Sequence, residues 1–486
     1  MGELEKALEH IGRRFDPSKA SAARTDFLYR LALLAHRHFA GKLQVLPSAW
    51  PVDARWLSVW YTPGVSAVSR AVRDDQDASF DLTGRGSRVA IATDSTRVLG
   101  DGDCTPPGGM GVMEGKALLM KILGGFDAVP LCIDDRDAEG RPVPSRMIEA
   151  VAALEPSFGA INLEDISQPA CYSVLSALQR RLSIPVWHDD AQGTACVTLA
   201  GLLNALEVTG RKLDSAKIVL LGSGASNSTT ARLLLSAGMD PSLLRIFDSG
   251  GPLCASRAGR YEGEGWEWHR QLCRITGSGS FGSPAEALSG ADVLVAASRP
   301  GPGTVPRDWV SGMSKEAIVF SLANPVPEIY PDEALAAGAA VAATGRGDFP
   351  NQVNNALAFP GVLKGALLVR ARGISDGMAV EAARALAAHA GSGGLSRHRI
   401  LPEIDDRGVA PAVASAVAMK AVDEGLARRP MDAGGVESVT RRDVEAVQEA
   451  CLALVASGSL GPVPGEMVDE ALRLALEEAG QDSFQG

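Results

Sequence analysis

Short apolar runs ending on acidic residues mark the first half of the chain: SRVAIATD (87–94), FDAVPLCID (126–134), FGAINLED (158–165) and SIPVWHDD (183–190). Each reads as a buried strand, and helical stretches separate them. A second series begins with KIVLLGSG (217–224) and continues through LLRIFDSG (243–250), ADVLVAASRPG (291–301), AIVFSLANP (317–325) and AVAATGRGD (340–348). Strands alternating with helices predict parallel sheets with short connections. The flanks are helical. DFLYRLALLAHRHF (26–39) carries apolar residues at helical spacing, and the pattern is helical again beyond about residue 400. There, TRRDVEAVQEACLALVA opens with Thr440 and Asp443 in capping-box spacing. A last helix aligns Met467, Val468, Ala471, Leu472, Ala475 and Leu476 on one apolar stripe. GSGSFGS (277–283) reads as a surface loop.

Composition narrows the class. The 486 residues suit two or three domains, and 46% hydrophobic with 22% charged excludes a disordered chain. Lys plus Arg number 47 against 58 Asp plus Glu, a net charge of −11 that argues against a nucleic-acid binder. No window is apolar enough for a membrane span, and the N-terminus MGELEKALEH has no apolar signal core. Seven cysteines without CxxC spacing read as reduced thiols, so the expected location is the cytoplasm.

KIVLLGSGASNSTTARLLL is a strand, a glycine turn and a helix, with Gly222 and Gly224 placed for a tight turn and close approach of phosphate to the helix N-terminus. One strand later, Asp248 ends RIFD, where an acid accepts hydrogen bonds from a ribose 2′-hydroxyl and repels a 2′-phosphate, favouring NAD over NADP. Should Asp248 not set the preference, Arg257 and Arg260 are the next candidates. Asn227 stands where a third glycine is usual. A plain strand-to-helix turn with no nucleotide is the alternative.

NLEDI supplies Glu164 and Asp165, and VWHDD supplies Asp189 and Asp190. A right-handed crossover brings both strand ends to one sheet edge. Adjacent strand residues face opposite sides, so Glu164 and Asp165 reach one ion only where the strand gives way to a loop. Clustered carboxylates repel unless a cation sits between them, and all-oxygen ligation suits Mg²⁺ or Mn²⁺. Singly, each acid equally reads as a helix cap. Lys116 follows the loop TPPGGMG at the start of a helix, where the dipole, burial and a nearby cation would lower its pKa as a general base needs; a surface lysine is the ordinary alternative. Tyr61 in YTPGV reads locally as packing. Asn324, Asn354 and Asn355 put amides at or after strand ends, where they hold a carboxylate or make turns.

Taken in order, YTPGV, TRVLGDGD, VMEGKALL, INLEDI, HDDAQGTA, GSGAS, ANPVPEI and TGRGDFPNQVNN resemble the malic enzyme family in its shorter prokaryotic form, from roughly Ala40 to Lys420. The resemblance implies an α/β fold of two αβ domains with parallel sheets, the second a Rossmann-type dinucleotide-binding domain, plus helical N- and C-terminal segments. Residues 1–200 would carry substrate and metal, 201–400 the dinucleotide, and 401–486 a helical segment on the core or at an oligomer interface. It implies Glu164, Asp165 and Asp190 as ligands of Mg²⁺ or Mn²⁺ and Lys116 as the base for the C2 hydroxyl, with Asp189 as its ion-pair partner. Tyr61 becomes the acid that protonates C3. Arg97, Asn324 and Asn355 become contacts to the substrate carboxylates. Gly222, Gly224, Ala225 and Asp248 fit the cofactor fingerprint, with Thr194, Ser298 and Asn324 beside them.

The implied activity is metal-dependent oxidative decarboxylation of L-malate to pyruvate and CO₂ with reduction of NAD, or NADP, by a homodimer that binds neither nucleic acid nor membrane. Ser95, Asp101 and Thr105 replace the expected Gly, Leu and Gly, Arg299 adds a charge near the cofactor region, and the tail beyond about 425 is extra. These departures keep a substituted malate open as substrate, beside malolactic conversion and a non-catalytic paralogue.

Overall fold

The computed structural model describes residues 2–50 and 52–481, and the chain forms two compact units, residues 49–446 and residues 1–48 with 447–486. Both sheets belong to the first. Its strands are β1 (Arg88–Thr93), β2 (Asp127–Cys132), β3 (Ala160–Leu163), β4 (Val186–His188), β5 (Ile218–Leu221), β6 (Leu244–Asp248), β7 (Gly251–Pro252), β8 (Val293–Ala296), β9 (Ala317–Ser321) and β10 (Ala339–Thr344).

One sheet runs β2-β1-β3-β4, all parallel, with Ile91 opposite Asn162 and Asn162 opposite Trp187. The other runs β10-β9-β8-β5-β6-β7 and is parallel except for β7, a two-residue strand that folds back on β6 through Asp248 and Gly251. The apolar runs thus become strands as their patterning requires: β3, β8 and β9 are buried along their whole length because helices cover a parallel sheet on both faces. In the second sheet the direction of strand addition reverses between β5 and β8, the place where open α/β sheets hold ligands.

The helix Thr194–Val208 crosses the expected division at residue 200 and is buried nearly all round. Its side chains join Val89 and Trp187 of the first sheet and Ile218 and Val295 of the second in one apolar cluster. The helix Val409–Asp423 packs on Phe359–Leu368 and Asp376–Ser392.

Two local expectations are corrected. Thr440 lies inside the helix Ala433–Ala456, fully buried, and its hydroxyl donates to the Val436 carbonyl at 2.8 Å. The helix starts earlier because the Asp432 carboxylate accepts the Gly435 amide at 2.8 Å. In GSGSFGS, Ser278 is buried and its Oγ accepts the Ile246 amide at 2.8 Å, which ties that segment to β6.

The other unit packs the helices Glu3–Arg14, Pro17–Phe39 and Gly465–Gln481 around Ile11, Phe27, Val468, Ala471 and Ala475. Leu472 and Leu476 flank that cluster, and Arg30 pairs with Glu478 at 2.7 Å. The seven cysteines are all free thiols. Among the described residues no helix is long and apolar enough to cross a membrane.

Candidate functional site

The C-terminal ends of β1, β3 and β4 meet in a knot of acids. β3 stops at Leu163, and the Glu164 amide still bonds the Ala92 carbonyl at 3.0 Å. Asp165 then takes a left-handed conformation at φ 53°, which aspartate tolerates better than most residues and which turns its side chain to the same side as that of Glu164. Its amide donates to Asp190 Oδ2 at 2.8 Å. After β4 the chain makes one wide turn, Asp189–Gly193, before the helix Thr194–Val208. That turn sends Asp189 inward and leaves Asp190 partly open. Any side chain at Gly193 would collide with the Asp189 carboxylate. Carboxylate oxygens of Glu164, Asp165 and Asp190 all lie within 4.8 Å of one another.

Lys116 backs this cluster. Its Nζ pairs with Asp189 and lies 3.0 Å from Glu164 Oε1 and 3.3 Å from the accepting Asn355 Oδ1, over the Phe359 ring at 4.6 Å. Trp187 Nε1 donates to the other Asp189 oxygen at 3.1 Å, and Asn162 donates to Glu164 Oε2 at 2.8 Å. Burial opposes the Lys116 charge, but Asp189, Glu164 and Asp190 outweigh it and hold the proton more firmly than usual. Burial by itself therefore does not bring about the expected lowering. Lys116 is also not at a helix start: it lies in the second turn of Met110–Gly124, beyond the reach of the terminal dipole.

The acids respond in the opposite sense. Burial raises Glu164 against the pull of Lys116, and burial with the Asp190 charge pushes Asp165 up to about 7. Asp165 Oδ2 is buried and has no hydrogen-bond partner among the described residues. Three crowded carboxylates with an orphaned oxygen fit a hard divalent cation, which removes their mutual repulsion and takes oxygen ligands.

Facing them, β5 runs into Gly222 at φ 95°, where a side chain would strike the Ala297 carbonyl. Gly224 starts the helix Ala225–Ser236 and is open on its outer side, with Gln168 Oε1 3.7 Å from where a Cβ would sit. The turn keeps its tightness without a third glycine. Asn227 is fully buried, and its Nδ2 donates to the carbonyls of Leu221, Gly222 and Val295 at 3.0, 3.1 and 3.3 Å. An open glycine loop at a helix N-terminus fits a dinucleotide pyrophosphate.

A cleft of about 650 Å³ joins the two halves, lined by Arg97, Lys116, Glu164, Asp165, Asp190, Thr194, Gly224, Ala225, Ser298, Asn324 and Asn355. Four expected residues do not line it. Asp189 stands behind Lys116, and Gly222 lies in the turn under the loop. Asp248, at the end of β6, is engaged by Arg257 and Tyr261. Tyr61 closes the short helix Leu57–Trp60 and is 71% exposed. Its neighbours Trp50, Trp56, Leu57, Val59 and Trp60 are exposed as well, so this apolar segment finds little cover among the described residues of its own unit.

Ser95 and Thr105, where glycines were expected, both keep the left-handed conformation, at φ 58° and 62°. Ser95 Oγ donates to the Pro106 carbonyl at 3.0 Å. Sequence reasoning missed Glu328, although it lies in the quoted ANPVPEI. Fully buried, it accepts the Ser298 amide at 2.7 Å and the Ala323 amide at 3.1 Å, tying together the loops after β8 and β9.

A glycine turn at the reversal point of one parallel sheet, set across a cleft from a carboxylate cluster ending another, defines a dinucleotide-binding enzyme with an acid-rich substrate pocket. Comparison with known proteins gives the family. Residues 40–179 match the malic enzyme N-terminal domain, and residues 191–243 with 307–422 match the malic enzyme NAD binding domain. The bifunctional malic/malolactic enzyme of Bacillus subtilis (strain 168) is 39% identical over 415 residues, 85% of this chain and 97% of that one. The NAD-dependent malic enzyme of Geobacillus stearothermophilus is 41% identical over 81% of this chain and 79% of its own. Other relatives are named NADP-dependent malic enzymes. A crystal structure of Entamoeba histolytica malic enzyme superposes with a TM-score of 0.93 at 47% identity, covering 96% of each chain. The chain belongs to the malic enzyme family.

Proposed function

We propose that the protein catalyses the oxidative decarboxylation of L-malate to pyruvate and CO₂, dependent on a divalent cation, with reduction of NAD or NADP. The observation that carries this reading is the convergence of Glu164, Asp165 and Asp190 on one point beside the Lys116–Asp189 pair, across the cleft from Gly224 and Ala225.

Glu164, Asp165 and Asp190 would hold Mg²⁺ or Mn²⁺, which supplies Lewis-acid polarisation of the C2 oxygen. Gly222, Gly224 and Ala225 would hold the pyrophosphate of the dinucleotide that accepts the hydride, with Thr194, Ser298 and Asn324 beside it. Arg97 and the amides of Asn324 and Asn355 orient the two carboxylates of malate. Lys116 takes the C2 hydroxyl proton. It becomes a competent base once Glu164 and Asp190 are engaged elsewhere, because their charges are two of the three that hold its own proton. Asp189 keeps the ammonium so formed in place. Tyr61 donates the proton to C3 after CO₂ departs. Since it does not line the cleft of its own chain, this reading has a homodimer cover the exposed tryptophans around it and present Tyr61 to the partner's cleft.

The test is the near-ultraviolet absorbance of reduced nicotinamide, with pyruvate measured alongside, when the purified protein meets L-malate, Mn²⁺ and NAD or NADP. A cation-dependent rise matched by pyruvate supports the proposal. Lactate without net reduced nucleotide would favour the malolactic conversion performed by the bifunctional relative. A flat trace from protein that binds both ligands would redirect attention to a substituted malate and to Asp101 in the Arg97 loop.

A further inference from the structure

The acid expected to read the adenosine ribose is already fully engaged. Asp248 Oδ1 accepts the Gly250 amide at 2.7 Å and Arg257 Nη2 at 2.7 Å, and Oδ2 accepts Arg257 Nη2 at 2.9 Å and the Tyr261 hydroxyl at 2.5 Å. Two carboxylate oxygens offer about four acceptor sites, so none is left for ribose hydroxyls. Burial works against the Asp248 charge, yet the Tyr261 and Arg257 hydrogen bonds prevail and keep its carboxyl below the ordinary value. The arrangement is a stable one.

The cations beside it are less committed. Arg257 Nη1 donates to the Pro252 carbonyl at 2.8 Å, while its buried Nε has no partner among the described residues. Arg260 is exposed, and no acceptor for its guanidinium is found among the described residues. Both guanidiniums crowd one spot: a Cβ on Gly250 would lie 2.6 Å from Arg257 Nη2 and 2.6 Å from Arg260 Nη1. One carboxylate against two guanidiniums leaves a net positive charge at the end of β6. This end adjoins the glycine turn directly, since the Gly222 amide donates to the Phe247 carbonyl at 2.8 Å. Both arginines also fall in residues 244–306, the stretch that the family's NAD binding domain leaves unmatched.

We propose that Arg260, flanked by Arg257, binds the 2′-phosphate of a phosphorylated adenosine ribose, and that Asp248 anchors Arg257 instead of accepting ribose hydroxyls. The protein therefore takes NADP, with Arg260 as a specificity-determining residue. A 2′-phosphate carries between one and two negative charges and three strong acceptors, the chemistry that an unpaired guanidinium fork recognises. This inference rests on the dinucleotide reading of the cleft and concerns only its selectivity.

The experiment is calorimetric titration of the full-length protein and of Arg260→Ala with NADP and with NAD. Arg260 is exposed, so the variant keeps the fold. The substitution should lower the NADP-to-NAD affinity ratio about tenfold, as loss of one charge-assisted contact predicts. A fall of more than about threefold supports the proposal, and a smaller one overturns it. Binding of NAD without NADP by the unaltered protein overturns the inference and leaves the dinucleotide reading standing. Binding of neither refutes both.

Discussion

The Nζ of Lys116 lies 3.0 Å from Glu164 Oε1 while also paired with Asp189, so one buried ammonium serves two carboxylates of different employment. Asp189 is fully buried and has Trp187 as its only other side-chain partner among the described residues, whereas Glu164 belongs to the open cluster with Asp165 and Asp190. A cation that claims Glu164 therefore leaves the Lys116–Asp189 pair intact and loosens the grip on the lysine proton.

Replacing Lys116 by Ala should cut turnover by about two to four orders of magnitude, the usual worth of a positioned base. Binding of Mn²⁺ should survive if Glu164, Asp165 and Asp190 are its ligands, because all three carboxylates remain and lose a competing cation. Steady-state kinetics and a Mn²⁺ titration check the two halves. Retained turnover would remove Lys116 from the mechanism.

Tyr61→Phe and Lys116→Ala chains, each nearly inactive alone, should regain activity when unfolded and refolded together. If Tyr61 serves the partner's cleft, half of a random mixture is heterodimer, and each heterodimer holds one intact site of two. About a quarter of the original rate is expected. A mixture no better than its components would place Tyr61 with its own chain.

Asp135 is 1% exposed, and burial together with the Asp94 charge pushes its carboxyl up to about 6. In the unfolded chain it titrates near 4. Below that pH both states hold the proton and nothing is lost. Between the two values the folded state keeps a proton that the unfolded state releases, so stability falls as pH rises and the loss is complete above about 6. Asp135→Asn should then stabilise the protein by about 1–3 kcal/mol at neutral pH and by almost nothing near pH 4. Denaturant midpoints at the two pH values decide it: an equal gain at both would assign the effect to something other than this charge.

Asn227→Gly restores the usual third glycine of a dinucleotide turn and should nonetheless destabilise the protein. It removes the amide shared by three carbonyls and puts glycine into a helical turn, at a cost of about 1–3 kcal/mol. Thermal unfolding measures this directly. An unchanged midpoint would mean that water satisfies those carbonyls equally well.

Much of the framework was legible because its signals are local. Parallel strands buried on both faces need continuous apolar runs, and β1, β3 to β6 and β8 to β10 were visible on that ground; β2 showed the same kind of run, but as the edge strand of its sheet it is only half-buried, not buried as its pattern predicts. β7 was not visible, since a two-residue strand has no period to read. The carboxylate cluster was legible for a different reason: Glu164–Asp165 and Asp189–Asp190 close two strands of one crossover, and parallel strands end on the same edge. Glu328 escaped notice because a buried acid looks no different from a surface one until the amides around it are known.

The sequence by itself determined the order of elements, the edge at which the chemistry gathers and the residue types collected there, because periodicity and strand direction act over a few residues. Only the tertiary structure decided the state and orientation of those groups. It raised the proton affinity of Lys116 by packing it against Asp189 and Glu164, filled Asp248 with Arg257 and Tyr261, and left Tyr61 facing outward. Charge and exposure depend on which neighbours the fold brings into contact, from Arg257 beside Asp248 to Asn355 beside Lys116, and no periodic pattern in the chain records them.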